Sequence, residues 1–417
     1  MKKEPEIVTF GCRLNTYESE VMRSHAKTAG LKNAIVFNTC AVTKEAERQA
    51  RQAIRKARRN NPQAEIIVTG CGAQIDPQKY AQMPEVDRVI GNDLKLKVET
   101  WTGLSDGKIL INDIMSVKET ASFLLEGYES RARAVLQVQQ GCDHRCTFCI
   151  IPYGRGNARS VPIGVVAEQV KKLVEGGYNE IVMSGVDITS YGPDLPGKPT
   201  LGQMIRRVLA LVPELKRLRL SSLDPVEIDE DMWRLIESEP RFMPYLHLSV
   251  QSGDNLILKR MKRRHSREDV IDLCRKARQL RPEISFGADI ITGFPTETEE
   301  MFQNTLDLVT ECDLTFLHVF PYSEREGTPA ARMPQVDPVV RKERAARLRA
   351  LGEKQMEKFL NNNINKEIEV IVENGNIGRA ENYAAISIDR DLPVGSMATI
   401  KTIGVAKDHL LGQCLGV

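Results

Sequence analysis

The feature that most constrains this chain is a group of three cysteines spaced C-x₃-C-x₂-C, at Cys142, Cys146 and Cys149. Three soft thiolates this close together suit an iron–sulfur cluster, which usually takes four cysteines. Because only three are supplied locally, one iron would keep an open coordination position for a small molecule. A zinc site that adds His144 and a chance group of buried thiols are the alternatives, but C-x-H-x-C-x₂-C lies outside the usual zinc-finger spacings.

Three more cysteines follow short apolar runs near the amino terminus. Cys12, Cys40 and Cys71 come after Glu6–Phe10, Ala34–Asn38 and Glu65–Thr69. Each run is followed by a helical pattern, which predicts a parallel α/β sheet. Ligands of such sheets gather at the carboxyl ends of the strands, so we expect the three cysteines to converge and to hold a second iron–sulfur cluster. For any one cysteine alone, a buried residue at a strand end is the alternative.

From Ala134 onward, six strand patterns alternate with helical patterns. This alternation predicts an open, partial (β/α)₆ barrel, in which catalytic groups lie at the carboxyl ends of the strands. Polar residues concentrate at these strand ends, and we expect them to contact substrate or cofactor. They are Ser184, Gly185, Asp187, Ser221, Gln251 and Asp289.

After a charged helical pattern over Val339–Phe359, the apolar residues alternate with period two, which predicts a small antiparallel β-barrel. The chain is therefore expected to be a multidomain α/β protein. Its predicted domains are residues 1–125, 126–360 and 361–417, in the order parallel α/β domain, partial barrel and small β-barrel.

Composition limits the class of protein. The most apolar stretches in the 417 residues are strand-length, so no membrane span is expected. Nine cysteines, an odd number spread over a long chain, favour metal-binding or catalytic thiols in a reducing compartment over a secreted disulfide framework. We therefore expect a cytoplasmic protein. The formal net charge of +2 means that any basic surface must be local.

The first cysteine group and the segment after it, CIIPYGRG, resemble the radical S-adenosylmethionine (radical SAM) enzymes of the methylthiotransferase family. The segments around the amino-terminal cysteines, FGCRLNTYESE, FNTCAV and VTGCGAQ, are similar to the amino-terminal domain of that family. GADIITGFPTETEEMF and HVFPYSEREGTPAARMP resemble its radical SAM barrel, and the end of the chain resembles a TRAM domain. The resemblance covers essentially the whole chain in the family's domain order.

The resemblance implies two [4Fe–4S] clusters. Cys142, Cys146 and Cys149 would hold the cluster that binds S-adenosylmethionine and cleaves it to a radical. Residues Cys12, Cys40 and Cys71 would hold an auxiliary cluster that carries the sulfur to be inserted, with Asn15 and Asn38 beside it. Other enzymes of the superfamily bind the methionyl amino group with Gly-Gly-Glu; here the matching stretch is SGVD, which leaves the contact to the backbone of Ser184–Val186 or to Asp187.

Within the family, the chain looks closest to the enzymes that methylthiolate N6-threonylcarbamoyladenosine beside the tRNA anticodon. The nearest alternatives are a methylthiotransferase that acts on isopentenyladenosine and one that acts on a ribosomal protein. An RNA-binding protein with structural clusters is the alternative of another class, but structural sites are usually closed by four protein ligands. The expected partners are the tRNA anticodon stem-loop and a low-potential electron donor such as flavodoxin or ferredoxin. Arg155 and Arg325 are the candidates for binding the threonylcarbamoyl carboxylate.

Three basic segments are candidates for RNA contact. One is the helical stripe from Lys44 to Arg59, and another is the run Lys259–His265, KRMKRRH. A solvated helix surface is the alternative for both. In the TRAM-like segment the candidates are Arg379, Tyr383, Lys401 and Lys407.

Overall fold

The amino-terminal domain is a five-stranded parallel sheet with the strands in chain order. Its strands are β1 (Glu6–Thr9), β2 (Ala34–Thr39), β3 (Glu65–Gly70), β4 (Arg88–Ile90) and β5 (Ile109–Leu110). Its helices are α1 (Arg13–Thr28), α2 (Lys44–Asn60), α3 (Cys71–Ile75), α4 (Pro77–Ala81) and α5 (Val98–Thr102). Every residue of β2 is buried, as expected for a parallel strand covered on both faces.

The computed structural model describes residues 4–102, 107–118, 127 and 132–417. The predicted domain boundary between residues 125 and 126 lies outside the described residues.

The central domain is a partial barrel of six parallel strands, β6, β9, β10, β11, β12 and β13. Its strands are β6 (Ala134–Gln137), β7 (Gln139–Gln140), β8 (Arg159–Ser160), β9 (Glu180–Ser184), β10 (Arg217–Leu220), β11 (Tyr245–Gln251), β12 (Ser285–Thr292) and β13 (Leu314–Pro321). Parallel bridges between Leu218 and Phe242 and between Leu223 and Leu248 join its two three-stranded sheets. The predicted (β/α)₆ architecture is confirmed.

Helices cover the outside of this barrel. They are α7 (Ile163–Glu175), α8 (Leu201–Leu211), α9 (Glu230–Ser238), α10 (Asn255–Met261), α11 (Arg267–Leu280), α12 (Glu299–Glu311) and α13 (Pro338–Asn361), whereas α6 (Ile151–Arg155) packs against α3 of the amino-terminal domain. Leu246, Leu248 and Val250 of β11 belong to the main hydrophobic core. Tyr245 and His247 alternate with them, so these polar side chains project from the opposite face of the strand.

The carboxyl-terminal domain is a closed five-stranded barrel in the order β14-β15-β16-β18-β17. Its strands are β14 (Glu367–Asn374), β15 (Ile377–Ala380), β16 (Ala385–Ile388), β17 (Met397–Val405) and β18 (Leu410–Gly416). All pairs are antiparallel except β16 with β18, which is parallel. Alternate residues such as Val370, Ile386 and Ile400 fill its core, which explains the period of two in the sequence.

The carboxyl-terminal barrel packs against the amino ends of the central strands. Arg217 opens β10 and donates to the backbone carbonyl of Glu369 at 2.9 Å. Tyr245 opens β11 and stacks on Tyr383, with ring centroids 4.3 Å apart. The small barrel therefore closes the amino end of the partial barrel, away from the carboxyl strand ends where a site is expected.

Among the residues that the structure describes, no helix is both long and apolar enough to cross a membrane.

Candidate active site

Three cysteines meet at the carboxyl edge of the amino-terminal sheet. Cys12 directly precedes α1, Cys40 follows β2, and Cys71 is the first residue of α3. Gly11 has a φ of +97°, and a Cβ there would lie 2.9 Å from the Cys40 Sγ, so glycine is needed for these loops to approach. Burial, together with the Cys71 and Cys12 thiols, raises the pKa of Cys40 to about 12. Thiols of this kind are deprotonated when they bind a metal, which fits a cluster site.

Two asparagines brace the loops that carry these cysteines. Asn15 donates to the carbonyl oxygens of Phe10 at 2.6 Å and Thr39 at 3.2 Å, and its Oδ1 lies 3.7 Å from the Cys12 Sγ. Asn38 donates to the Asn15 carbonyl oxygen at 2.9 Å. Asn15 thus contacts a cysteine of this group directly, whereas Asn38 acts one hydrogen bond further away.

A buried charged network lies beneath the same edge. The Glu18 carboxylate accepts from Lys95 at 2.6 Å and from Arg155 at 2.7 Å, and all three side chains are almost fully buried. Burial alone would raise the pKa of Glu18, but Arg155 and Lys95 lower it to about 2. Arg155 also donates to the Asn15 Oδ1 at 2.5 Å, so this network holds the asparagine that contacts Cys12.

Glu18 and Lys95 were not identified from the sequence. Their partners are distant along the chain: Lys95 bonds to a residue 77 positions away, and Arg155 to one 137 positions away. The sequence signal was limited to the position of Glu18 inside FGCRLNTYESE.

The second cysteine group lies on the loop between β7 and α6. Cys142 and Cys149 are half-buried and their pKa values are raised, mainly by burial. The Cys146 Sγ accepts from Arg263 at 3.6 Å, and Arg263 also donates to Asp224 at 2.8 Å. This arrangement places one fixed cation beside the thiols, where it would offset the negative charge of a thiolate-ligated cluster.

Asp187 faces this loop from the end of β9. Its Oδ2 lies 3.7 Å from the Cys142 Sγ and 2.8 Å from Nε2 of His144, and it accepts from Ser190 at 3.0 Å. Burial alone would raise the pKa of Asp187, but the hydrogen bond with His144 lowers it. A carboxylate is therefore held beside the thiols, where it can accept hydrogen bonds from an ammonium group.

Other predicted contact residues surround Asp187. Ser184 ends β9, and the Gly185 amide donates to the Ser221 Oγ at 3.4 Å. The Gln139 Oε1 accepts from the amides of Val186 at 2.9 Å and Asp187 at 3.0 Å. Gln139 fixes the loop but was missed from the sequence, although it directly precedes the cysteine segment as part of VQQG.

Gln251 and Asp289 are placed differently. Gln251 ends β11 in the left-handed region, with a φ of 66°. Asp289 lies in the strand β12, where its Oδ1 is 3.0 Å from both His247 and His318. The Tyr245 hydroxyl lies 2.8 Å from the other ring nitrogen of His247, so these residues form a polar layer on the inner face of the barrel.

The two cysteine groups approach each other through the PYGRG segment. The Asn92 Nδ2 donates to the Gly154 carbonyl oxygen at 2.5 Å and lies 3.5 Å from the Cys71 Sγ. A Cβ on Gly154 would lie 3.1 Å from the Cys71 Cβ. Because α6 begins two residues after Cys149, the segment that follows the second cysteine group contacts Cys71 of the first group at the junction of the two domains.

Two family descriptions match separate parts of the chain. Residues 136–309 match the Radical SAM superfamily, and residues 5–91 match the Uncharacterized protein family UPF0004. These ranges contain the second and the first cysteine groups respectively.

Relatives match across the whole length. A "Threonylcarbamoyladenosine tRNA methylthiotransferase MtaB" of Rickettsia prowazekii is 57% identical over 97% of this chain and 96% of its own. The protein of the same name from Aquifex aeolicus is 36% identical over 94% of this chain and 98% of its own. The chain belongs to the MtaB family of radical SAM methylthiotransferases.

A solved structure agrees with the fold. The radical S-adenosylmethionine methyltransferase TsrM of Kitasatospora setae superimposes with a TM-score of 0.54 at 15% identity, covering 76% of this chain and 68% of its own. At that identity the similarity concerns the fold alone.

In this methylthiotransferase, two predictions for the substrate carboxylate are wrong. Arg155 is 2% exposed, and its guanidinium already donates to Glu18, Gln140 and Asn15. Arg325 is 8% exposed and pairs with Glu47. Both arginines serve the protein's own framework, because each lies where two domains pack together.

Some arginines of the Lys44–Arg59 stripe bind to other residues of the amino-terminal domain. Arg58 donates to the carbonyl oxygens of Ala64 at 2.7 Å and Glu85 at 3.0 Å, and Arg51 lies 3.7 Å from Glu47. Arg55 and Arg59 are exposed on the same helix. In the run Lys259–His265, Arg263 and Arg264 face the barrel's carboxylates, whereas Lys259 and Lys262 are exposed.

The candidates in the carboxyl-terminal barrel divide in the same way. Tyr383 is stacked on Tyr245 and surrounded by Arg133, Arg219 and Arg379, so its ring packs between the two domains. Arg379 pairs with Glu373 at 2.8 Å within this same interface. Lys407 is exposed, and Lys401 donates to a backbone carbonyl oxygen at the surface.

Proposed function

We propose that this methylthiotransferase adds a methylthio group to carbon 2 of N6-threonylcarbamoyladenosine at position 37 of tRNA. The observation that carries the proposal is the 57% identity, over nearly the whole of both chains, to a relative named for this substrate. The contact between Cys71 and Gly154, which lies five residues after Cys149, supports it because it brings the segments of both cysteine groups together. Two incomplete thiol sites are more than an RNA-binding protein with structural clusters requires.

Each cysteine group is proposed to hold a [4Fe–4S] cluster. Cys12, Cys40 and Cys71 would hold one, and Cys142, Cys146 and Cys149 the other, each leaving one iron without a protein ligand. When bound, the cluster at Cys142, Cys146 and Cys149 would supply the electron for the cleavage of S-adenosylmethionine, and the cluster at Cys12, Cys40 and Cys71 would supply the sulfur. Carbon 2 of an adenine is not acidic and carries no leaving group, so polar substitution is unfavourable and radical chemistry suits it.

The remaining residues of the site bind and orient. Asp187, held by His144 and Ser190, is proposed to accept hydrogen bonds from the methionyl amino group of S-adenosylmethionine. Ser184, Gly185 and Ser221 form the adjoining wall. Asp289 would contact ligand groups deeper in the barrel, and Gln251 would contact ligand groups at its rim. Arg263 would offset the negative charge of a Cys146 thiolate that holds the cluster.

The tRNA is proposed to approach the open carboxyl ends of the barrel strands, with its anticodon stem-loop near the exposed face of α2. A low-potential electron donor such as flavodoxin or ferredoxin completes the proposed set of partners.

The test is methylthiolation by the enzyme reconstituted anaerobically with iron and sulfide. Anticodon stem-loops that carry threonylcarbamoyladenosine or isopentenyladenosine are supplied in competition, and the products are measured by mass spectrometry. We expect a methylthio group on the threonylcarbamoyl form alone. Comparable turnover of both substrates, or exclusive turnover of the isopentenyl form, would contradict the proposed substrate while leaving the cluster chemistry intact.

A further inference from the structure

A cavity of about 300 Å³ lies where the three domains meet. Arg13 from the amino-terminal domain, Arg133 and Arg219 from the region of the central barrel, and Glu373 and Tyr383 from the carboxyl-terminal barrel all line it. Burial alone would raise the pKa of Tyr383, but Arg13, Arg133 and Arg379 lower it. The charged side chains that line the cavity are three arginines and one glutamate, so the lining is electropositive.

Two of its arginines are already paired. Arg219 donates to Glu180 at 2.7 Å and to the Ala380 carbonyl oxygen at 2.7 Å. Arg133 pairs with Glu373 and lies 3.6 Å from Glu180. These guanidiniums hold the domains together and have little capacity left for a ligand.

Arg13 is different. Its guanidinium donates to the Tyr383 hydroxyl at 3.3 Å, and within the described parts of the chain it forms no ion pair. Arg13 is half-buried and is the residue directly after Cys12. Its guanidinium consequently lies no further from Cys12 than one extended arginine side chain reaches.

We propose that Arg13 determines specificity by pairing with the carboxylate of the threonylcarbamoyl group in this cavity. The inference rests on the proposed function, and it replaces Arg155 and Arg325 in the role that the sequence predicted for them. On the proposed function, carbon 2 of the target adenine would approach the cluster at Cys12, Cys40 and Cys71, and the N6 substituent is carried on the same base. A cation one residue beyond Cys12 is therefore suitably placed for the end of that substituent.

The chemistry of the pair explains why substrates would be distinguished. A guanidinium binds a carboxylate through two parallel hydrogen bonds. An isopentenyl group would leave Arg13 desolvated and unpaired, which is how polar sites reject apolar analogues. A volume of about 300 Å³ lies at the small end of ligand pockets and suits the substituent rather than a whole nucleoside.

The experiment is a thermodynamic cycle that combines one change in the protein with one change in the substrate. Wild type and Arg13→Gln are assayed on stem-loops that carry either threonylcarbamoyladenosine or its methyl ester, which removes the negative charge. We expect Arg13→Gln to lower kcat/KM for the acid by about 10²-fold, mainly through KM, and the ester to cost the wild type a similar factor. Arg13→Gln should show no further loss on the ester, because both changes remove the same contact.

Controls separate this role from a structural one. Arg207→Gln, an exposed arginine on α8, should leave both substrates unaffected. Iron content and the KM for S-adenosylmethionine should be unchanged in Arg13→Gln. Arg13→Lys, which keeps the charge but not the fork of donors, should give an intermediate loss.

Losses that multiply across the cycle, or a change confined to the KM for S-adenosylmethionine, would overturn the role of Arg13. So would a full acid-over-ester preference in Arg13→Gln, whatever the iron content of that variant. If the wild type does not turn over the threonylcarbamoyl stem-loop at all, the proposed function itself fails, and the two failures are thereby distinguished.

Discussion

Glu18 is a fully buried carboxylate on which side chains from two domains converge. Lys95 belongs to the amino-terminal domain, and Arg155 follows the cysteine loop of the barrel. A buried carboxylate is tolerated when its charge is matched and its oxygens accept hydrogen bonds, as they do here. Glu18 therefore fixes the position of both cysteine groups relative to each other.

We expect Glu18→Gln to lower the free energy of unfolding by roughly 3–5 kcal/mol, because it leaves two buried cations short of a counter-charge. The pKa of Glu18 is lowered from its ordinary 4.5, so its contribution is fully present above pH 4.5 and is lost as the pH falls toward about 2. Urea denaturation at pH 7.5 therefore measures the full effect.

The matched control for this measurement is Glu20→Gln, on the same helix. Glu20 pairs with the partly exposed Arg23 at 3.2 Å, and its loss should cost less than about 1 kcal/mol. The double variant Glu18→Gln with Lys95→Met should recover part of the loss. Equal stability of Glu18→Gln and Glu20→Gln would show that the buried network does not stabilise the protein.

At the scale of elements, α2 shows how one helix divides its charges. Arg58 is bonded to backbone carbonyl oxygens, which anchors the helix to the sheet, while Arg55 and Arg59 remain exposed. The three-and-four spacing in the sequence predicted one basic face. Spacing alone does not distinguish an anchoring arginine from an exposed one, because the difference depends on what packs against the helix.

We expect the double variant Arg55→Gln with Arg59→Gln to weaken tRNA binding uniformly across tRNA sequences. The slope of log K against log salt should flatten by about one unit per lost phosphate contact. Filter binding or fluorescence anisotropy at several salt concentrations measures this slope. Arg58→Gln is the matched control and should leave the slope unchanged; an unchanged slope in the double variant would mean that α2 does not contact the RNA.

The strand ends were the most predictable elements. Apolar β-branched runs fixed the parallel strands, and the geometry of such sheets brought Cys12, Cys40 and Cys71 to one edge, as predicted. The side chains that brace them, such as Lys95 and Gln139, were not predicted because their partners come from distant parts of the chain.

At the scale of the whole molecule, domain packing decided which predicted residues were available. Tyr383 resembled an RNA contact within its own barrel but is stacked on Tyr245 of the next domain. Arg217 and Arg219 bond to backbone carbonyl oxygens of the carboxyl-terminal barrel. How domains dock is not encoded in local periodicity, so the fold of each domain could be predicted and the surfaces left free between them could not.

The central claim is that this molecule holds two separate clusters with different tasks. The most direct test is the iron and sulfide content of two triple alanine variants, one at Cys12, Cys40 and Cys71 and the other at Cys142, Cys146 and Cys149, with the products of each measured after anaerobic reconstitution. Each variant should retain about half of the wild-type iron, since four irons belong to each cluster. The first should still cleave S-adenosylmethionine without inserting sulfur, and the second should form no 5′-deoxyadenosine. An unchanged iron content in either variant would contradict the account.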